Sequence, residues 1–320
     1  MTPLSTPQRI MQILRLPREK LRPLVAHPAW SWFWRAFTAL SLVAVAVGIY
    51  YSVREIPAEG LEVRPVFLLV ALGIYLLTFS MHLMGWHTLS RLMFGKMRLR
   101  DDVEAVAASN LVKYLPTIAW YIANRSHYYH QRGVSRAKVV AASLYELGFM
   151  VGACAALLAI SWLAGLSLWL AAAALAVVAL ALGLVAARRP QMPSSDAGER
   201  LPLGGLVRAF LWYAATWPIA GLFLWAVLST FISVPITEVQ MVLHIWLFTS
   251  LASYGVSLTL GVLSFAREIT LTVLLAQFWP LPVAIATAVT VKLLLTVGEV
   301  TCSLILLGLF RLSAVRIAHE

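Results

Sequence analysis

Charged residues and cysteines are scarce in this chain. Charges make up 12% of its 320 residues, whereas about a quarter of a typical soluble domain is charged. Hydrophobic residues make up 61%, and so few charges cannot cover such an apolar core in water. The two cysteines, Cys154 and Cys302, show neither CxxC nor metal-like spacing and are expected to be small buried hydrophobic residues. The composition excludes a soluble domain and predicts an all-α polytopic membrane protein.

Long apolar runs take the place of the missing charge. A helix needs about 20 apolar residues to cross a bilayer. The runs of this kind are, approximately, 33–53, 66–90, 139–164, 167–187, 206–232, 239–256 and 282–310. If the more polar segment 255–277 adds one crossing, the prediction is about eight transmembrane helices. If that segment is a hairpin, the count is seven and the C-terminus lies outside.

Basic residues outnumber acidic ones by 25 to 14, and they cluster at the ends of the apolar runs. This is the positive-inside pattern of membrane proteins. The sequence contains no recognisable nucleic-acid-binding module, so no nucleic acid is expected as a partner. It predicts a multi-pass protein of the inner (cytoplasmic) membrane with a cytoplasmic N-terminus. The predicted parts are a basic cytoplasmic segment 1–30, a first transmembrane half 31–187, a cytoplasmic linker 188–205, a second transmembrane half 206–312 and a C-terminal tail 313–320.

Two segments are too polar or too broken to be ordinary spans. The first is Asp101–Arg136, which has Pro116 in its middle, and the second is Gly255–Gln277. Broken backbone at membrane depth is tolerated only where protein or a wet cavity covers it. Broken segments at corresponding positions of two halves point to a transporter-like site. We therefore predict two broken or re-entrant polar elements and a possible internal repeat.

Ionisable residues stand isolated in apolar sequence. Glu146 is the only charged residue within 139–187, and the adjacent Arg267 and Glu268 are the only ones within 239–291. A charge at bilayer depth costs roughly 2.5–3.5 kcal/mol, so it usually faces a bundle interior or a wet cavity and has a partner. The pattern therefore predicts a polar site inside the membrane.

The predicted site combines cations for an anionic headgroup with carboxylates that balance them. The headgroup-binding candidates are Arg125, Arg267, Lys292, Lys113 and Asn110. The charge-balancing or proton-coupled candidates are Glu146, Glu268 and Glu299. Arginine suits phosphate because its planar fork forms two hydrogen bonds at once. The alternative is structural, with the same charges paired permanently and locking the helices together.

Catalytic, metal and nucleotide motifs are not found. His82 and His87 are five residues apart, off the i, i+4 spacing of a helical metal pair, and HExxH is absent. We expect these two residues and His244 to be hydrogen-bonded structural histidines. No cofactor, metal or catalytic residue is expected, and a transporter or accessory membrane protein is favoured over an enzyme.

Two motifs resemble a family signature. They are NLVKYLP at 110–116, followed by Trp120, Arg125, RGVS at 132–135 and Glu146, and GVLSFARE at 261–268, followed by Ala284. Over about residues 30–310, the chain resembles the lysylphosphatidylglycerol synthase transmembrane (flippase-like) family. The family has Pro-Gly in both broken elements, where this chain has Thr117 and Leu263-Ser264. We expect neither the family's soluble synthase domain nor aminoacyl transfer.

The resemblance implies a lipid translocase for an anionic phospholipid or a polyprenyl-phosphate-linked glycan in envelope assembly. Membrane lipids are the expected partners, and a membrane or glycosyltransferase partner is possible. Two alternatives stay open. One is an integral membrane enzyme acting on a lipid-linked substrate, and the other is a non-transporting scaffold for a glycosyltransferase or synthase.

Overall fold

The computed structural model describes residues 63–112, 118–166, 201–260 and 266–317, which contain helices and turns but no strand. The α-helices of these ranges, in chain order, are α1 (Val66–Phe94), α2 (Leu99–Val112), α3 (Ile118–His130), α4 (Arg136–Leu166), α5 (Leu203–Ser229), α6 (Val239–Leu260), α7 (Ala266–Leu275) and α8 (Leu281–Ile317). A short 3₁₀ turn, Ile236–Glu238, precedes α6. The all-α class is confirmed for this part of the chain.

Five of the described helices are long and apolar enough to cross a membrane, namely α1, α4, α5, α8 and α6 together with the 3₁₀ turn before it. Each coincides with a predicted apolar run to within a few residues. The predicted runs 33–53 and 167–187, the N-terminal segment and most of the linker lie outside the described residues. These five helices are those of a multi-pass membrane protein, and the predicted count of about eight crossings is not confirmed.

Three helices are too short to cross a bilayer. The helices α2, α3 and α7 have 14, 13 and 10 residues, which at 1.5 Å per residue is about 15–21 Å against about 30 Å of hydrocarbon. Helix α2 packs against α3, and α7 packs against α6 and α8. Both predicted broken segments therefore contain short helices. The residues 113–117, with Pro116, and 261–265 lie outside the described part.

Helices α1 and α5 pack closely because glycines remove side-chain bulk between them. A Cβ added at Gly85 of α1 would lie 2.9 Å from Cζ of Tyr213 on α5, and one at Gly205 of α5 would lie 2.6 Å from Cδ1 of Leu92 on α1. The later residue of one helix meets the earlier residue of the other, so the pair is antiparallel. Small residues allow such close approach in membranes. This contact holds Tyr213 against α1.

Buried apolar residues form two clusters, and each faces one of the predicted charges. The larger cluster draws mainly on α5, α6, α7 and α8, and its Trp246 lies under the guanidinium of Arg267. The smaller one draws on α1 to α4 and the start of α5, and its Trp86 lies under the guanidinium of Arg125. Each apolar cluster therefore borders a different one of the predicted arginines.

Candidate functional site

Two predicted site residues, Arg125 of α3 and Glu146 of α4, form a buried ion pair. Arg125 Nη1 donates to Glu146 Oε2 at 2.5 Å. The two residues are 0% and 4% exposed. A buried pair of this kind tolerates the loss of one partner poorly, because the remaining charge stays in the interior at a cost of about 3–5 kcal/mol.

Side chains from three other helices contact the carboxylate of Glu146. His82 Nε2 of α1 lies 3.1 Å from Oε1, and the Tyr213 hydroxyl of α5 donates to the same oxygen at 3.4 Å. The Tyr121 hydroxyl of α3 lies 3.4 Å from Oε2. Helices α1, α3, α4 and α5 therefore meet at one side chain. We call this group, with Arg125 and Trp86, the Glu146 cluster.

Aromatic rings cover the guanidinium of Arg125. Its Cζ lies 3.8 Å from the ring centroid of Trp86 and 4.1 Å from that of Tyr121, and Arg125 also donates to the Tyr121 hydroxyl. Cation–π contacts of a desolvated arginine are worth about 2 kcal/mol. In this conformation the charge is closed to a ligand, and a headgroup reaches it only if the rings move. Binding by Arg125 thus stays a prediction.

The other predicted charges form the Glu268 cluster, which consists of Arg267 and Glu268 of α7, Lys292 of α8 and Trp246 of α6. Lys292 Nζ lies 3.4 Å from Glu268 Oε1, and Arg267 Nη2 lies 3.5 Å from the same oxygen. The Cζ atom of Arg267 is 5.8 Å from the ring centroid of Trp246. One carboxylate oxygen therefore serves two cations.

The Glu268 cluster is partly open and incompletely hydrogen-bonded. The side chains of Arg267, Glu268 and Lys292 are 27%, 12% and 20% exposed. Among the described residues, Arg267 Nε and Glu268 Oε2 are buried without a hydrogen-bond partner. A buried polar atom left unpaired costs about 1–3 kcal/mol. A ligand that pairs with these atoms would remove that cost.

Glu299 and Tyr254 extend the charged region. Glu299 of α8 is half-buried and interacts electrostatically with Lys292, seven residues earlier on the same helix. Tyr254 of α6 lies within electrostatic range of Arg267 and Glu299, and of Glu146 in the other cluster. Sequence analysis did not predict Tyr254, because a tyrosine in a span has no isolated charge to mark it.

The remaining predicted site residues flank the first broken segment. Asn110 is buried near the end of α2, and α2 packs against α8. Lys113 lies outside the described residues. The structure thus brings Arg125 together with Glu146, and Arg267 with Glu268 and Lys292.

A third polar group, the Asp102 cluster, was not predicted. Asp102 of α2 is 0% exposed. Its Oδ2 accepts from Ser90 Oγ at 2.7 Å and lies 2.6 Å from His87 Nδ1, while the Tyr129 hydroxyl donates to Oδ1. Burial raises the pKa of Asp102 although these hydrogen bonds oppose the rise. No apolar run surrounds Asp102 in the sequence, so nothing there marks it as buried.

The Asp102 and Glu146 clusters are joined through Trp86. The indole Nε1 of Trp86 donates to the Tyr129 hydroxyl at 2.8 Å, and its ring covers Arg125. Tyr129 in turn donates to Asp102. A hydrogen-bonded path therefore runs from the buried aspartate of α2 to the aromatic face that holds the buried arginine of α3.

The three predicted structural histidines differ in their hydrogen bonding. His82 and His87 are hydrogen-bonded, to Glu146 and Asp102 respectively, as predicted. The Nε2 atom of His244 is buried without a hydrogen-bond partner among the described residues, so hydrogen bonding of this histidine stays a prediction. Within those residues, no group of His, Cys, Asp or Glu is arranged to hold a metal ion.

A surface ion network lies at the start of α2 and is centred on Glu104. Glu104 Oε2 accepts from the Tyr128 hydroxyl at 2.6 Å and from Arg132 at 3.3 Å, and its Oε1 accepts from Arg100 at 3.1 Å. Partial burial raises the pKa of Glu104, but these hydrogen bonds and charges outweigh it, so the pKa lies below its ordinary value.

The described helices and clusters define a class: a multi-pass α-helical membrane protein with charged groups inside its bundle. Comparison with protein-family models and with curated proteins finds no match for this chain. The resemblance carried by the two sequence motifs therefore stays a prediction.

Proposed function

We propose that this protein binds the headgroup of an anionic lipid at the Glu268 cluster and moves that lipid across the inner membrane. The ligand class is an anionic phospholipid or a polyprenyl-phosphate-linked glycan. The observation that carries the proposal is the incomplete hydrogen bonding of a partly exposed cluster, in which Arg267 and Lys292 share one oxygen of Glu268.

A phosphate fits this arrangement chemically. Arg267 can present its fork to two phosphate oxygens, while Lys292 supplies a point charge from the neighbouring helix. Glu268 and Glu299 compensate both cations when the site is empty, which keeps the charge tolerable at membrane depth. On binding, the phosphate replaces the shared carboxylate oxygen as acceptor, so the exchange creates no uncompensated cation.

The helix plan supports two related halves, each with its own charged cluster. In the first half, the short helix α3 carries Arg125 and the long helix α4 carries its counter-charge Glu146. In the second, the short helix α7 carries Glu268 and the long helix α8 carries its counter-charge Lys292. Paired broken elements are typical of transporters that alternate access around a central site. We propose that both broken elements are re-entrant and that the halves form an internal repeat.

Lipid translocation in liposomes tests the proposal directly. Wild type is compared with Arg267→Ala and Lys292→Ala, using fluorescent phosphatidylglycerol and a polyprenyl-phosphate-linked sugar. We expect wild type to move at least one of these lipids and both variants to lose most of that activity. Arg98→Ala is the matched control, because Arg98 is exposed in the loop between α1 and α2. All variants should remain monodisperse with unchanged melting temperatures.

Failure of wild type to move either class of lipid contradicts the proposal. Conversion of the lipid-linked sugar would then favour a membrane enzyme. Co-purification of a glycosyltransferase that depends on Arg267, without transport or turnover, would favour a scaffold. Equal activity of Arg267→Ala and Arg98→Ala would keep translocation but remove the Glu268 cluster from it.

A further inference from the structure

A groove on the surface of the helix bundle lies between α1 and α5, away from the charged clusters described above. It has a volume of about 240 Å³ and is lined by Met81, Arg208, Leu211, Trp212 and Ala215. The four α5 residues lie at i, i+3, i+4 and i+7, which places them on one helix face. Both helices are long and apolar enough to cross a membrane, so this surface meets lipid.

The groove lies beside close contacts between α1 and α5. Gly85 meets Tyr213 within the length of the groove, and Gly205 meets Leu92 beyond its Arg208 end. Ligand sites of membrane bundles are commonly clefts between helices that exist before the ligand binds. The close packing of α1 against α5 therefore forms the base of this groove.

The charge of the groove is concentrated at one end. Arg208 is exposed, and no described residue forms an ion pair or side-chain hydrogen bond with it. Seven residues separate it from Ala215, which at 1.5 Å per residue is about 10 Å along the helix. Met81, Leu211 and Ala215 make the rest of the groove apolar. A cationic end joined to an apolar channel of this length complements a lipid with an acidic headgroup.

We propose that this groove is a binding site for one anionic glycerophospholipid, which stays bound and is separate from the translocated lipid. The phosphate pairs with Arg208, whose fork suits it, and one acyl chain lies along Met81, Leu211 and Ala215. The Trp212 indole packs beside the glycerol region, as interfacial tryptophans do at the headgroup level. The site does not depend on the Glu268 cluster.

Native mass spectrometry of the purified protein tests this site. The protein is delipidated in mild detergent and titrated with phosphatidylglycerol or phosphatidylcholine. We expect wild type to bind one phosphatidylglycerol more tightly than any further copies. Arg208→Gln should weaken that first binding step about tenfold, the usual scale for losing a hydrogen-bonded charge. Arg98→Gln is the matched control and should bind like wild type, because Arg98 is also exposed and has no ion-pair partner among the described residues.

A second variant tests the apolar part of the groove. Ala215→Trp fills the channel and leaves Arg208 in place, so it should also weaken the first binding step. The proposal is overturned by equal binding of phosphatidylcholine, by equal losses in the two arginine variants, or by unchanged binding in Ala215→Trp. It is also overturned if Arg208→Gln alters the oligomeric state and not lipid binding, since the occupant would then be a second copy. Translocation measured in Arg208→Gln should remain at the wild-type rate.

Discussion

The Glu146 and Glu268 clusters use the same chemistry with opposite outcomes. In the first, one carboxylate meets an arginine, a histidine and two tyrosines, and the arginine is fully buried between two rings. In the second, one carboxylate oxygen serves two partly exposed cations and the other has no partner in the described structure. The first resembles a structural ion pair that holds helices together, and the second resembles a binding site.

The difference comes from the neighbours and not from the charges themselves. Each cluster pairs an arginine with a glutamate and has an aromatic ring over the arginine. Histidine and tyrosine side chains additionally contact the carboxylate of Glu146. Arg125 Nε, like Arg267 Nε, is buried without a hydrogen-bond partner among the described residues, so the clusters differ in burial and in the contacts made by the carboxylate. A buried carboxylate with several hydrogen-bonded neighbours fixes the helices that contribute them, whereas a partly exposed one can exchange partners. The predictions below test this division, beginning with the largest expected change in the free energy of unfolding.

Removal of Glu146 should have the largest effect on stability. Glu146→Ala leaves Arg125 charged and buried without its counter-ion, and we expect a loss of about 3–5 kcal/mol. Chemical unfolding in detergent micelles, followed by circular dichroism, gives the value. The double variant Arg125→Met with Glu146→Leu removes both charges and should recover most of the loss. No recovery in the double variant would contradict a purely structural lock.

Gly85→Ala should have the next largest effect, because it disturbs the Glu146 cluster without touching a charge. The added Cβ would lie 2.9 Å from Cζ of Tyr213, which donates to Glu146. Overpacking of this kind costs about 1–3 kcal/mol. Gly73→Ala is the control on the same helix, since a Cβ there meets nothing within 4 Å. Equal melting temperatures of the two variants would show that the contact is not tight in solution.

Glu268→Gln should change stability less than either variant above. The cations beside Glu268 are partly exposed and can turn towards water or headgroups, so we expect a smaller loss than for a fully buried pair. Lipid translocation should nevertheless fall strongly, because the balance of charge in the empty site is lost. A stability loss as large as that of Glu146→Ala, measured by the same unfolding assay, would contradict the division between the clusters.

Glu104→Gln should have the smallest effect, and that effect should depend on pH. The folded state holds the pKa of Glu104 below 4.5, its ordinary value, so ionisation stabilises the fold above that pH. At pH 7 the variant should be less stable than wild type by less than about 1 kcal/mol, as expected for a surface network. The difference should shrink as the pH falls below 4.5. A difference that grows on acidification would show that the pKa is raised.

The spans were predictable because their signal is local. An apolar run long enough to cross a bilayer has few alternative structures, so α1, α4, α5, α6 and α8 appear close to their predicted bounds. The two broken segments were predicted from proline and polar residues that interrupt such runs, and the structure places the short helices α2, α3 and α7 in them. The packing partners of these helices were not predictable, because contacts between distant helices depend on which face each helix turns inwards.

The site was predictable only as far as isolated charges reveal it. Glu146, Arg267, Glu268 and Lys292 stand out, since a charge in an apolar run has few places to go. Arg125 stands out through its place in the first broken segment. The residues that decide their roles do not stand out. Tyr121, Tyr213 and Trp86 are of residue types that are common in membrane helices. Asp102 lies in a polar stretch that looks like a loop.

Trp86 connects the Asp102 and Glu146 clusters through a single side chain. Its ring contacts the Arg125 guanidinium, and its N–H is donated to Tyr129. Phenylalanine would keep the ring but lose the donor, and histidine would keep a donor but lose most of the ring area. Replacement of Trp86 during evolution should therefore require simultaneous changes at Tyr129 and Arg125, so these three positions are expected to covary among homologous sequences.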